Sequence, residues 1–515
     1  MSTRRAGSRE WIGLAVLVLP TLLISIDTTV LTLAVPSLSE DLRPSGTQLL
    51  WINDIYGFLI AGFLITMGNL GDRYGRRKVL LIGAAAFAGA SLLAAFAPSA
   101  ELLIVARALL GVAGATLMPS TMSLIRNMFH DPVQRTTAIS VWMAGFTGGL
   151  VVGPLVGGLL LEHFSWGAVF LLNVPVMVIL LVLGPLLLPE YRTAASGPVD
   201  LASVALSVSA VLLVIYGVKE IAAYGPSVVA LLVLAAGVVL GVVFVRRQRG
   251  LADPLLDMRL FSVPRFRAAL GVLTLVILIG PVVGLLSGQY LQLVVGLSPF
   301  QAGLVTLAPA AAMLVGFALA PMLAKRWNAG LLSAGGLLVA ALGLSLIGFV
   351  GGSGRDLWLI LAGQTLFFLG ASPLMVLGID MVVGAAPPER SGSAAALSET
   401  VQEFGGALGL AVFGTVATAV YRMGFAVPEG VSGQVAAAAH DTLGGAVAAA
   451  ASLPGEAGAA LAAAAKAAFA GGVRVSIVAA ALVVVAAAVL AAVALRRAAG
   501  EEKEEVRESA KESVA

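Results

Sequence analysis

Long apolar runs separated by short polar segments recur along almost the whole chain. An α-helix needs about 20 mainly apolar residues to cross the hydrocarbon core of a bilayer, and each run reaches or approaches that length. The pattern predicts fourteen membrane-spanning helices, and an even number places both termini on the same side. The predicted limits are 11–35, 49–67, 79–97, 102–125, 137–161, 166–188, 200–218, 226–245, 267–291, 301–323, 330–350, 357–383, 393–420 and 472–495.

Basic residues are divided unevenly between the connecting segments. Of the 31 Lys and Arg residues, 24 fall in segments on the side of the termini and six in the alternate segments, while Arg107 lies inside a helix. Cytoplasmic loops carry the excess of Lys and Arg, so the split supports the helix count and predicts cytoplasmic termini. The first run is longer than the apolar core of a signal peptide, and we expect it to be retained as helix 1.

Composition fits a membrane protein. The 515 residues are 59% hydrophobic and 11% charged, with a mean hydropathy of +1.00, whereas soluble proteins carry about 25% charged residues. The chain has no cysteine, which excludes disulfides and thiolate metal sites. The net charge of +3 is too small to indicate a nucleic-acid partner. The sequence contains no Gly-x-x-x-x-Gly-Lys-Ser/Thr phosphate-binding loop, so ATP is not expected to drive its activity.

Six ionisable residues lie inside the apolar runs, and five of them are acidic. A charge near the bilayer centre costs roughly 3 kcal/mol or more, so such residues are usually retained for function. Acids in this setting are typical of sites that carry protons and hold cations. The six residues are Asp27, Asp54, Arg107, Asp380, Glu399 and Glu403.

The order of the helices indicates three membrane units and a tail. We predict a six-helix unit at 1–190, two additional helices with a linker at 191–250, a second six-helix unit at 251–495 and a charged tail at 496–515. The second unit includes a long Ala- and Gly-rich outer loop at 421–471. Apolar residues at helical spacing in this loop predict a short helical hairpin on the outer surface, and a disordered low-complexity loop is the alternative.

The turn after helix 2 reads GNLGDRYGRRK at 68–78. Its glycines permit a tight turn, and its four cations belong on the cytoplasmic face. A cluster that only sets topology is the alternative. The string resembles the loop signature of the major facilitator superfamily, which implies two six-helix halves with a site between them and an inter-half charge relay formed by Asp72 and Arg73. The signature residues are Gly68, Gly71, Asp72, Arg73, Gly75, Arg76 and Arg77.

Helix 5 contains a glycine-rich string that bears on the direction of transport. Gly149, Gly153 and Gly157 lie four residues apart and form a smooth stripe for close helix contact, and Pro154 favours a kink. A general packing face is the alternative for the stripe taken alone. The complete string, which ends at Gly158, resembles the motif that marks exporters within the superfamily.

Helices 1 and 4 carry an acid and a base that belong together. The segment at Asp27 resembles the signature of fourteen-helix drug:proton antiporters, and Arg107 resembles the helix 4 arginine of proton-coupled facilitators. Asp27 lies roughly 24 Å into helix 1, and Asp54 and Arg107 lie roughly 8 Å from the outer ends of their helices. We therefore expect all three in the outer half of the first unit, where they can meet. A static ion pair that only orients helices is the alternative.

Helix 13 carries Glu399 and Glu403, which are four residues apart and share one helix face. Two carboxylates so close in a low dielectric cannot easily both ionise, so one can exchange a proton for an organic cation. The segment 394–409 resembles the acidic helix of the QacA, LfrA and SmvA class of multidrug exporters, and the likeness covers essentially the whole chain. Asp380 falls where some of these relatives carry an acid, although a surface-facing charge is nearly as consistent.

These features predict an all-α integral membrane protein with the major facilitator fold and no enzymatic activity. The resemblance implies a monomer, surrounded by lipid in a bacterial cytoplasmic membrane, that exports small lipophilic cations such as quaternary ammonium compounds and ethidium. No cofactor is expected, because the proton gradient supplies the energy. Helix 10 lacks an acid that some members of the class use for divalent drugs, so monovalent cations are expected.

Aromatic side chains near the acids are Trp51, Tyr56 and Phe404. Each can bind a cation through its ring face, with packing or interfacial anchoring as the alternative role. Three other functions stay open at this point. They are export of one endogenous secondary metabolite, import or uniport of a nutrient, and a role in signalling or lipid handling by a protein that borrowed the fold.

Overall fold

The computed structural model describes residues 5–495 apart from 45, 193–199, 226, 252–253, 298, 353, 387–390, 429–430, 432, 434–435, 437–438, 441–442 and 454–455, so the predicted tail at 496–515 lies outside the described residues. The regular elements of the described chain are helical. They are α1 (Ser8–Leu42), α2 (Gly46–Tyr74), α3 (Arg76–Ala95), α4 (Ala100–Met128), α5 (Pro132–His163), α6 (Ala168–Leu171), α7 (Asn173–Leu187), α8 (Leu201–Tyr224), α9 (Val228–Gly250), α10 (Pro264–Ile277), α11 (Gly280–Gln289), α12 (Pro299–Ala324), α13 (Ala329–Ile347), α14 (Asp356–Ala385), α15 (Ser391–Gly424), α16 (Leu443–Ala451) and α17 (Glu456–Leu490).

Among the described residues, 14 helical stretches are long and apolar enough to span a membrane. One stretch joins α6 to α7, and another joins α10, α11 and a π-helical turn at Tyr290–Val294. The prediction of an all-α protein with fourteen spanning helices is confirmed. Helices extend beyond the apolar runs where polar residues cap them. The Asp131 carboxylate accepts a hydrogen bond from the Gln134 N–H at 2.9 Å, and α5 therefore begins at Pro132 rather than at 137.

The spanning helices form two bundles. In the first bundle α1 packs on α5, α2 on α4, and α3 on both α4 and α7. In the second bundle α13 packs on α14 and α17, α12 on α14, and α15 on α17. The two bundles meet along a seam where α2 contacts α15 and α5 contacts α12. This seam brings α2, which carries Asp54, next to α15, which carries Glu399 and Glu403.

A row of glycines allows α5 to lie directly against α1. A side-chain carbon added at any of four positions would overlap an atom of α1, so only glycine permits this spacing. The row includes Gly145, which the sequence analysis did not single out. The contacts are Gly145 with Val18, Gly149 with Leu22 and Ser25, Gly153 with Thr29, and Gly157 with Val30.

Gly158, at the end of the helix 5 string, has different surroundings. A side-chain carbon added at Gly158 would meet no atom within 4 Å, so Gly158 is not part of the packing row. The helix itself continues through Pro154 without interruption to His163.

The additional helices α8 and α9 pack on each other and are joined by polar contacts at one end. Arg247 at the end of α9 places its Nε 2.8 Å and its Nη2 3.1 Å from the carboxylate oxygens of Asp200, which caps α8. The hydrogen bonds from Arg247 hold the pKa of the partly exposed Asp200 carboxyl below its usual value. Gln248 donates to Ser203 at 2.7 Å and accepts from the Leu255 N–H at 2.7 Å, which fixes the segment before α10.

The outer loop at 421–471 differs from the predicted short hairpin. Part of it lies outside the described residues, but α16 packs against the start of α17, and α17 runs unbroken from Glu456 into the last span. The second arm of the hairpin is therefore the first part of the last membrane helix. The glycines at 471 and 472 do not end the helix, because Gly472 lies directly against the backbone of Ala417 in α15 and a larger residue would prevent that contact.

We expect Gly149→Ala to lower the free energy of unfolding by about 1–3 kcal/mol, because the added carbon overlaps α1. Gly148→Ala is the matched control, since its added carbon meets no atom within 4 Å and alanine is about 1 kcal/mol better than glycine inside a helix. Thermal unfolding of both variants in detergent measures the difference. Equal melting temperatures would contradict the packing role of the row.

Candidate functional site

The end of the bundle at which α1 begins is called the N-terminal face. Contacts between helix ends hold it together: the Ala6 N–H, just before α1, donates to Gln134 Oε1 of α5 at 2.8 Å, and Arg9 Nη2 donates to the Leu186 carbonyl of α7 at 2.8 Å. The distribution of Lys and Arg predicts that this face is cytoplasmic. The other end is called the opposite face.

The glycine-rich turn at 68–78 lies on the N-terminal face between α2 and α3. Gly75 has a φ of +111°, a conformation that L side chains rarely adopt. Arg76 is fully buried, forms an ion pair with Asp72, and donates its backbone N–H to the Tyr191 carbonyl at 2.9 Å. Gly71 leaves room for the Arg76 guanidinium, which a side-chain carbon at this position would overlap.

Further contacts from this turn reach both halves of the protein. Arg73 Nε donates to Asn69 Oδ1 at 2.6 Å, and Asn69 Nδ2 donates to the Leu255 carbonyl at 3.3 Å, just before the second bundle begins. Arg77 lies 3.5 Å from the carboxylate of Glu190, which follows α7. Asn69, which the sequence analysis did not single out, therefore links Arg73 to the backbone at Leu255. The expected relay of Asp72 and Arg73 between the halves stays a prediction.

Asp27 and Arg107 meet inside the first bundle. Arg107 Nη1 lies 2.7 Å from Asp27 Oδ2, and Arg107 Nε donates to the Ile52 carbonyl at 3.1 Å. The guanidinium carbon lies 4.5 Å from the centre of the Tyr56 ring. Asp27, Arg107 and Tyr56 are 6%, 2% and 2% exposed. The carbonyl and the ring surround the remaining surface of the buried cation, which is the condition for a desolvated ion pair to persist.

Asp54 has a different partner from the one that we expected. Lys219 Nζ of α8 lies 2.8 Å from Asp54 Oδ1 and 4.7 Å from the centre of the Phe58 ring. Ile52 and Tyr56 are four residues apart on α2 and face Arg107. Asp54 and Phe58 are also four apart, but lie on another side of the same helix and face α8. Asp54 therefore pairs with an additional helix instead of joining Asp27 and Arg107.

Glu399 and Glu403 form no ion pair with any residue that the structure describes. Glu399 is 9% exposed, whereas Glu403, one turn further along α15, is exposed. Glu403 is close enough to Lys219 and to Tyr56 to interact with both electrostatically, and Glu399 interacts with Glu403 in the same way. The pair therefore lies at the seam between the bundles with no cation in direct contact with either carboxylate.

Glycines position the acidic part of α15. The spanning helix opposite is interrupted between the end of α10 and the start of α11 at Gly280. A side-chain carbon added at Gly409 would overlap the Leu278 carbonyl at this interruption, and one added at Gly405 would lie 3.2 Å from Ile277. Glycine at both positions brings α15 against the interrupted helix, directly beyond Glu403.

Asp380 lies apart from the other acids, near the end of α14 at the N-terminal face. Arg135 Nε is 2.5 Å from Asp380 Oδ1, and Thr136 Oγ1 donates to Asp380 Oδ2 at 3.0 Å. Arg126 Nη2 donates to the Gly384 carbonyl at 3.3 Å. These contacts, which we call the latch, join the first half to the second. Asp380 is therefore neither surface-facing nor part of the pair on α15.

The candidate aromatic contacts have separate surroundings. One face of the Tyr56 ring is taken by Arg107, and Phe404 packs on α8. Trp51 is 40% exposed and meets the Phe58 ring edge-on at 6.3 Å between centroids.

Sequence reasoning missed the cations that pair with two of the acids, Arg135 and Lys219. Arg135 had no feature that separated it from the other loop cations. Lys219 had one usable signal, because it is one of only six Lys or Arg residues on the outer side and lies near a helix end.

Residues 17–410 match the Major Facilitator Superfamily. The chain belongs to this superfamily. The multidrug efflux pump LfrA of Mycolicibacterium smegmatis is 47% identical over 455 residues, which cover 88% of this chain and 90% of LfrA. The methyl viologen resistance protein SmvA of Salmonella typhimurium is 35% identical over 453 residues, covering 87% and 90%. The tetracenomycin C resistance and export protein of Streptomyces glaucescens is 33% identical over 465 residues, covering 87% and 84%.

Solved structures of other major facilitators share the fold. The human organic anion transporter MFSD10 superposes with a TM-score of 0.62 at 16% identity, over 94% of this chain and 99% of its own. The proton:xylose symporter XylE superposes with a TM-score of 0.55 at 16% identity, over 79% and 89%. This major facilitator is thus a multi-pass membrane transporter and not an enzyme.

We expect Asp380→Asn to open the N-terminal face of this major facilitator, because the latch loses its ion pair. The chain has no cysteine, so a single introduced cysteine is the only thiol. Ser140 lies one turn after Thr136 on α5 and is 5% exposed. The labelling rate of Ser140→Cys therefore reports how easily a reagent reaches this part of the N-terminal face. In that background Asp380→Asn should raise the rate of maleimide labelling about fivefold.

The matched control is Arg247→Gln, which breaks an ion pair within the additional helices and not across the seam. It should leave labelling of the introduced cysteine unchanged in that background. The charge-reversed pair Arg135→Asp with Asp380→Arg should restore slow labelling. A rate that does not respond to Asp380→Asn would show that the latch does not hold this face closed.

Proposed function

We propose that this transporter is a proton-driven antiporter that exports lipophilic monovalent cations, such as quaternary ammonium compounds and ethidium, across a bacterial cytoplasmic membrane. Both termini lie in the cytoplasm, and the protein works as a monomer. The observation that carries the proposal is the lack of an ion pair at Glu399 and Glu403 in the described chain. The three intramembrane aspartates each have a cation within ion-pair distance, and these two glutamates do not.

The chemistry of the pair suits exchange. A carboxylate at the seam can be neutralised by a proton or by an organic cation, but accommodating both together leaves excess positive charge in a low dielectric. Binding of one guest therefore expels the other. Exchange of one proton for one monovalent cation moves no net charge and uses only the pH gradient, about 1.4 kcal/mol per unit. A second proton would add about 2.3 kcal/mol for each 100 mV of membrane potential.

The latch determines from which side of the membrane the glutamate pair can be reached. With the latch formed, the N-terminal face is closed, and Glu403 is exposed within the bundle. We assign this arrangement to the state that takes up protons from outside the cell. Release of the latch then opens the cytoplasmic path, where a cation displaces the protons and is carried out when the bundles rock back.

The resemblance to LfrA supports a broad range of drugs, because LfrA is a multidrug efflux pump and matches most of this chain. Export of a single secondary metabolite is the second candidate, favoured by the 33% identity to the tetracenomycin C resistance and export protein. Growth of an expressing strain on several unrelated cations, with and without a protonophore, separates the two. Protection against many compounds that the protonophore removes favours the first, and protection against one compound favours the second.

We expect Glu399→Gln and Glu403→Gln each to abolish proton-driven ethidium efflux in inverted membrane vesicles, because an amide can neither release a proton nor attract a cation as a carboxylate does. Glu162→Gln is the matched control, since Glu162 is exposed in the last turn of α5, on a different helix from the pair. It should transport at the wild-type rate. Wild-type efflux by both glutamine variants of α15 would remove this pair from the mechanism.

We expect the apparent affinity of the purified protein for ethidium to rise with pH, because the cation binds the deprotonated carboxylates. In weakly buffered detergent solution, addition of ethidium should release protons, and an indicator dye follows that release. The double variant Glu399→Gln with Glu403→Gln should show neither effect. Affinity that is independent of pH, together with no proton release from the wild-type protein, would contradict exchange at this pair.

A further inference from the structure

Lys219 is the one basic residue of α8, and it lies where a cationic guest would bind. Its ammonium group is 2.8 Å from Asp54 and 4.7 Å above the centre of the Phe58 ring, and it interacts electrostatically with Glu403. A carboxylate, an aromatic face and a second carboxylate nearby are the groups that bind organic cations. Lys219, a cation of the protein itself, therefore lies against the kinds of group that bind an organic cation.

The helix that carries Lys219 contacts both halves of the transporter. On one side Ile215 packs with Phe58 and Ala61 of α2, and on the other Val214 and Val218 pack with Ala411 of α15. Phe404 of α15 joins both clusters. Because α8 lies across the seam, Lys219 is placed between the acid of α2 and the acids of α15.

The contact between Lys219 and Asp54 is exchangeable. The two side chains are 44% and 38% exposed and lie near the ends of the spanning stretches Trp51–Tyr74 and Leu201–Ile221, so the pair contributes little net stability. The contrast with Asp27 and Arg107, which are almost fully buried, is clear. A cation that enters the seam can take over Asp54 and the Phe58 ring while the ammonium group of Lys219 moves into water.

We propose that Lys219 is a tethered cation that occupies the Asp54–Phe58 subsite when no guest is bound and that sets the charge of the guest that the transporter accepts. This inference rests on the proposed export of cations. With Lys219 in place, the charge of Asp54 is already balanced, so the seam offers less negative charge to a dication. Without it, one more uncompensated carboxylate faces the guest.

The electrostatic gain on removal of Lys219 scales with the charge of the guest. The Coulomb energy of a divalent cation in a given potential is twice that of a monovalent one, so the fold-change in affinity is squared. An exposed ion pair of this kind corresponds to about a threefold change for a monovalent guest, and hence about tenfold for a divalent guest of similar size.

The experiment measures the Kd of purified wild-type and Lys219→Gln protein for tetraphenylphosphonium and for methyl viologen, by isothermal titration in detergent. We expect Lys219→Gln to tighten binding of tetraphenylphosphonium about threefold and of methyl viologen about tenfold. Lys466→Gln, the same substitution in α17, should change neither Kd. Addition of Asp54→Asn to Lys219→Gln should cancel the gain, because the uncompensated charge is gone. Lys219→Met repeats the test with the aliphatic stem retained.

The outcomes separate this inference from the function on which it rests. If the wild-type protein binds neither cation, the proposed function and the inference both fail. If the wild-type protein binds them but Lys219→Gln and Lys219→Met leave the ratio of the two Kd values unchanged, the inference alone fails. Equal weakening of both ligands would mean that Lys219 only anchors α8 to α2, and that also overturns it.

Discussion

Every charge inside the two bundles must find an opposite charge or water, because hydrocarbon provides neither. The pair of Asp27 and Arg107 meets this requirement by full burial, with a ring and a carbonyl around the cation. Asp54 and Asp380 meet it with partners that remain accessible to water. The glutamates of α15 form no ion pair in the described structure, and of the two only Glu403 is exposed. The acids differ in how their negative charge is balanced. This difference, and not the mere presence of acids, divides them into fixed and exchangeable groups.

The same division applies to the contacts between helices. Within the first bundle, the glycines of α5 lie directly against α1, with no gap between the two helices. Because this contact is close-packed, the two helices move as one body. Across the seam the named contacts on the N-terminal face are polar and few, and each can be replaced by water. Rigid interiors and a replaceable polar boundary are the combination that alternating access requires.

Much of this arrangement follows from local sequence rules, and some of it does not. The fourteen spans could be predicted because the bilayer sets helix length, and the shared face of Glu399 and Glu403 could be predicted because they are four residues apart. The partner of Asp54 could not be predicted, since it depends on the rotation of α2 about its axis and on where α8 docks. The early start of α17 was missed because its glycines are normally helix-weakening, and only the close approach to α15 makes them compatible with a continuous helix.

The length of α17 has a practical consequence. Its 35 residues correspond to about 52 Å of helix, whereas the hydrocarbon core is about 30 Å thick. The first turns of this helix, against which α16 packs, therefore exceed the length needed to cross the hydrocarbon. An antibody fragment raised against α16 and these first turns would give single-particle imaging an asymmetric marker at one end of the second bundle.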